Sequence, residues 1–63
     1  MNLENAINYG IQILKKNSIK SAELDSEILM SKVIGKERRF IILNQNKHLE
    51  KNSFECFKSL IDQ

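Results

Sequence analysis

Ser21-Ala22-Glu23-Leu24-Asp25-Ser26-Glu27-Ile28-Leu29-Met30-Ser31-Lys32-Val33-Ile34-Gly35 decides how this chain folds, because its apolar residues leave almost no side of a helix free. Projected at about 100° per residue, Ala22, Leu29, Met30, Val33 and Ile34 cover one broad arc, and Leu24 with Ile28 cover a second. A surface helix shows one apolar stripe, so a helix with two is expected to have neighbours on several sides. The stretch therefore reads as the central helix of a small bundle, over about residues 22–34. Ser21 is expected to cap it, its hydroxyl accepting from first-turn amides, with Glu23 and Asp25 at the positive end of the helix dipole. Gly35 is expected to stop it in the left-handed conformation, and Lys32 lies in the last turn, where a cation suits the carbonyl end.

Before this stretch, Leu3 to Lys16 is amphipathic: Leu3, Ala6, Ile7, Gly10, Ile11 and Leu14 share a face opposite Glu4, Asn5, Asn8, Gln12, Lys15 and Lys16. That pattern predicts a first helix, capped by Asn2, with Tyr9 and Ile13 at the flank of its stripe. Gly10 costs about 1 kcal/mol of helix propensity relative to alanine, and close approach to the central helix is the reason expected for it. Asn17 to Lys20 has the length of a helix-to-helix link.

After Gly35, the run Phe40-Ile41-Ile42-Leu43 could be a buried strand or a short buried helix. A lone strand has nothing to pair with, so a short third helix from about Glu37 to Asn44 is expected. Asn44 to His48 reads as a polar loop. The last helix is predicted from about Lys51 to Ile61, with Phe54, Cys56, Phe57, Leu60 and Ile61 on one arc and Leu49 stapling against Phe54. The fold class is thus all-α, four to five short helices in a single domain spanning residues 1–63.

Sixty-three residues lie near the lower limit for a domain without metal or disulfides. The single cysteine can form no internal bridge, so the default compartment is the cytoplasm. Neither a signal-peptide start nor a run of about 20 apolar residues is present, so no membrane partner is expected. The net charge of +2 is too weak to imply nucleic acid, but seven of the ten basic residues fall after residue 31.

Two glycines cannot build a phosphate-cradling loop, and one histidine with one cysteine cannot build a metal site. Cys56 with His48 could in principle be nucleophile and base, but Cys56 lies on the apolar arc, where cysteine behaves as a small hydrophobe. Glu27 projects between Ile34 and Leu24 and needs a partner if half-buried; Arg38, Arg39 and His48 are the candidates for a structural ion pair, with Asp25 assigned a similar structural role. Lys36, Arg38 and Arg39 beside the Gly35 turn form either a solvated basic face or a docking patch for another macromolecule.

The residues Ser21-Ala22-Glu23-Leu24-Asp25-Ser26-Glu27-Ile28-Leu29-Met30, then Val33-Ile34-Gly35-Lys36 and Arg39-Phe40-Ile41-Ile42-Leu43, resemble the N-terminal domain of the HemK/PrmC-type release factor glutamine methyltransferases. That family reads approximately Ser-Pro-x-x-Asp-Ala-Glu-x-Leu-Leu, then Leu-Gly and a basic residue; Ala22 replaces the proline and Ser26 the alanine. Leu49 to Leu60 is similar to the family's Leu-Thr-x-x-Gln…Leu helix, with Glu50 at the threonine position. The resemblance implies that the chain is one domain of a larger enzyme. A linker with Gly-Glu-Pro and a Rossmann-like domain would follow, carrying the S-adenosylmethionine loop and an Asn-Pro-Pro-Tyr motif that holds the glutamine amide. It places no catalytic, cofactor-binding or metal residue in this segment.

What the resemblance implies is a recognition role: the family methylates the glutamine of the Gly-Gly-Gln loop in peptide chain release factors. A second contact surface would supply binding energy remote from the chemistry and orient the reacting amide. Lys36, Arg38 and Arg39 are the candidates for that surface, and the expected partners are the release factor and the protein's own catalytic domain. The alternatives are a small helical nucleic-acid module, disfavoured by the weak charge, and a free-standing protein–protein adaptor.

Overall fold

The computed structural model describes residues 1–62, whose regular elements are all α-helices: α1 Leu3–Lys16, α2 Ala22–Ile34, α3 Arg38–Leu43 and α4 Lys51–Ile61. The central position of α2 is borne out, since α1, α3 and α4 all pack on it. The core is small: Leu3, Ala6 and Ile7 of α1, Met30 of α2, Ile41 of α3, Leu49, and Phe57 and Ile61 of α4. Tyr9 joins α1 to α4 at its edge, its ring 5.4 Å from that of Phe54 and tilted by 60°.

Gly10 lets three helices meet. A methyl group at its α-carbon would lie 2.6 Å from Ser26 Oγ and 2.7 Å from the Phe57 ring, so the close approach read from the sequence is real and involves α4 as well as α2. Ser26 itself is fully buried, and its hydroxyl donates to the Ile7 carbonyl at 2.9 Å. That bond satisfies a polar atom that would otherwise be stranded in the core.

The ends of α1 are well satisfied. Asn2 Oδ1 accepts from the Asn5 amide at 2.8 Å, the cap expected of it. The Leu3 and Glu4 amides donate to the carbonyls of Lys47 and Gln45, both at 3.0 Å, and Leu49 N donates to Met1 O at 2.9 Å. An isolated antiparallel bridge between Asn2 and His48 accompanies them. At the other end, Ile19 N bonds Leu14 O and Ser18 N bonds Lys15 O, with Ser18 at φ 65°, which is the Schellman arrangement.

Three expectations are corrected. Leu24 and Ile28 are 44% and 37% exposed, so the second apolar arc of α2 has no helix over it; α3 is only six residues long and too short to cover it. Ser21 occupies the N-cap position of α2, but with ψ at 33° its side chain makes no capping bond, and the hydroxyl donates to Asp25 Oδ2 at 3.0 Å. Cys56 is exposed. Phe57 and Ile61 centre the buried face of α4, and Cys56 stands about 100° round the helix from Phe57.

Candidate partner-binding site

The basic turn after α2 is built by Gly35, whose φ of 69° and ψ of 32° give the left-handed stop that ends the helix. Its amide and that of Lys36 both donate to the Ser31 carbonyl, and Ser31 Oγ closes the turn by donating to the Lys36 carbonyl. This clasp sets the directions in which Lys36, Arg38 and Arg39 leave the backbone.

The three cations then part company. Arg38 folds back on α2, its Nε and Nη2 donating to Glu27 Oε1 at 3.1 and 2.7 Å. Half-exposed pairs of this kind contribute about 0–1 kcal/mol, so Glu27 mainly fixes where the guanidinium sits. Asp25, grouped with Glu27 from the sequence, makes no ion pair among the described residues and instead accepts from Ser21. Arg39 is exposed with no ion pair among the described residues.

Lys36 turns the other way, towards Phe40, with Nζ 5.4 Å from the ring centroid. Lys47, on the loop between α3 and α4, approaches the same ring to 5.9 Å. Both distances fall within the range of a cation–π contact. Between them opens a cleft of about 310 Å³. Val33, Ile34, Phe40 and Leu49 give it an apolar lining; Lys36, Lys47 and His48 stand around it with the carboxylate of Glu50.

The loop that carries Lys47 and His48 is held from both sides. Asn44 Nδ2 and Gln45 Nε2 donate to the carbonyls of Phe40 and Ile41, closing the end of α3, while α1 donates to the loop through Leu3 and Glu4. The sequence reading did not place Lys47 at this site, and weighed His48 only as a base for Cys56 or a partner for Glu27. No local signal marks them, because their position depends on the start of α1 reaching residues 45–49. His48 and Cys56 share no hydrogen bond among the described residues, and no cluster of three or more histidine, cysteine or acidic side chains could hold a metal among them. No helix among them is long and apolar enough to cross a membrane.

Comparison with known proteins gives the arrangement a family. The sequence matches the PrmC N-terminal domain over residues 5–63. It is 37% identical over 62 residues to a protein of Clostridium botulinum named release factor glutamine methyltransferase. That alignment covers 98% of this chain but 22% of the relative, so the chain spans about a fifth of the length of that protein. No solved structure matches it. With the match running through all four helices, the chain belongs to the PrmC N-terminal domain family.

Proposed function

We propose that this domain is the recognition module of an S-adenosylmethionine-dependent methyltransferase that modifies the glutamine of the Gly-Gly-Gln loop in peptide chain release factors. The observation that carries this reading is the alignment with a relative named for that activity, of which this chain corresponds to 22%. The remainder of such a protein supplies the chemistry and works in the cytoplasm, where its substrate is found. Neither glycine of this chain is free to form a cofactor-cradling loop: Gly10 is packed against Ser26 and Phe57, and Gly35 serves to end α2. The domain's part is to hold the release factor so that its loop enters a catalytic pocket on the protein's own second domain. Remote contacts of this kind lower the entropic barrier to bringing a reacting group into line.

Lys36, Arg38 and Arg39 are the residues we assign to that contact. Arg38 is already engaged by Glu27, so Lys36 and Arg39 are the more informative to change. Reversing both, Lys36→Glu with Arg39→Glu, is expected to raise KM for intact release factor at least tenfold in the full-length methyltransferase and to leave kcat within twofold. Unchanged KM would remove these residues from the contact. Methylation that proceeds equally well without residues 1–63 would remove the recognition role altogether.

A further inference from the structure

The cleft between the end of α2, α3 and the loop before α4 has a composition more specific than a basic face. Its lining is mixed, with an apolar part from Val33, Ile34, Phe40 and Leu49, and two ammonium groups, Lys36 and Lys47, gather round one aromatic ring. Two like charges near one low-dielectric surface repel each other, and an incoming carboxylate relieves that repulsion. At its edge α4 begins, and Glu50 places no side-chain hydrogen bond on the first-turn amides. A helix opening of that kind favours negative charge beside it. At about 310 Å³ the cleft lies at the bottom of the range of about 300–1,000 Å³ typical of small-molecule pockets. That is room for one large apolar side chain as an anchor.

We infer that this cleft docks an acidic segment of the release factor, seating one apolar side chain over Phe40 and Leu49 with flanking carboxylates on Lys36 and Lys47. This rests on the recognition role proposed above and adds to it the site, the residue Lys47, and the chemistry of the partner segment. The geometry is prepared in advance. The Lys47 carbonyl is tied to α1 through Leu3 N at 3.0 Å, and Lys36 sits on the Ser31 clasp, so little backbone ordering remains to oppose binding. Glu50 in the same lining carries the opposite sign and opposes an incoming carboxylate, but Lys36 and Lys47 outnumber it.

Titration of this chain with intact release factor, followed by calorimetry and by amide NMR, tests the assignment. The wild-type chain is expected to bind, with shifts centred on Lys36, Phe40, Lys47 and Leu49. Lys36→Glu with Lys47→Glu is expected to weaken binding at least tenfold. Lys16→Glu with Lys20→Glu, the same change in net charge at the far end of α1, is expected to weaken it less than threefold. A capped octapeptide with one phenylalanine among glutamates is expected to compete, and its lysine counterpart to fail. The milder pair Lys36→Gln with Lys47→Gln, checked for an unchanged melting temperature, guards against loss of fold. Equal loss in both charge-reversed pairs, or competition by the lysine peptide, would reduce the effect to net charge and overturn the cleft. Binding untouched by the Lys36/Lys47 changes would overturn the cleft and leave the recognition role standing. No binding of release factor by the wild-type chain would overturn the recognition role itself, and the cleft assignment with it.

Discussion

Gly10 packs so closely on Ser26 and Phe57 that an added methyl group has no room there. Replacing Gly10 by alanine gains about 1 kcal/mol of helix propensity. It also drives a methyl into Ser26 Oγ and the Phe57 ring at 2.6 and 2.7 Å. Phe57 is fully buried and Ser26 is held by its bond to Ile7, so neither can yield cheaply. Overpacking of this kind costs about 1–3 kcal/mol, and the expected result of Gly10→Ala in urea denaturation is a net loss. Ser26→Ala removes one hydrogen bond worth about 0.5–1.5 kcal/mol together with the nearest of the clashing atoms. The double variant should therefore lose less than the two single losses added, a coupling that a double-mutant cycle reads directly. The glycine's role was legible because a glycine inside an apolar stripe has few other reasons to be there; the third helix in the contact was not, because no pattern within α1 points to α4.

At the scale of the element, the helix ends separate what local sequence dictates from what packing decides. Asn2 and Gly35 behave as their chemistry requires, one accepting from a first-turn amide and the other taking positive φ. Ser18 takes the same left-handed conformation with a side chain attached. A non-glycine residue there bears about 1–2 kcal/mol of strain, so Ser18→Gly is expected to raise stability by up to about 1 kcal/mol. Gly35→Ala, with open space around the added methyl, is expected to lower it by about 1 kcal/mol through backbone strain alone. Thermal melts of the two variants check both signs. Ser21 looked equally suited to cap α2, yet its backbone is not extended and its hydroxyl turns to Asp25. The identity of a capping residue is visible in a sequence, whereas the torsion angle that aims it is not.

For the whole molecule, the core has little redundancy, and its apolar surface is unevenly used. Met30 is fully buried, and Met30→Ala is expected to cost about 2–5 kcal/mol, a large share of what a domain of this size holds in reserve. Leu24→Lys, on the exposed arc of α2, is expected to stay within about 0.5 kcal/mol of wild type in the same denaturation assay. Periodicity identified the helices and most of the core, yet it counted Leu24, Ile28 and Cys56 as inward because it measures apolarity and cannot know where a neighbour stops. The candidate site was half legible for a related reason. Lys36, Arg38 and Arg39 stand together in the chain, whereas Lys47 joins Lys36 only through the pairing of the chain's start with residues 45–49. That pairing also bears on how the protein comes into being. Of the four helices a ribosome releases α1 first, but the acceptors for the Leu3 and Glu4 amides, on Lys47 and Gln45, emerge only after α2 and α3. Hydrogen exchange at those two amides should be slow in the finished chain and free in nascent chains ending before residue 45. The first of the four helices to be synthesised is thus completed at its beginning only when most of these 63 residues have been translated, and the cleft comes into existence at the same moment.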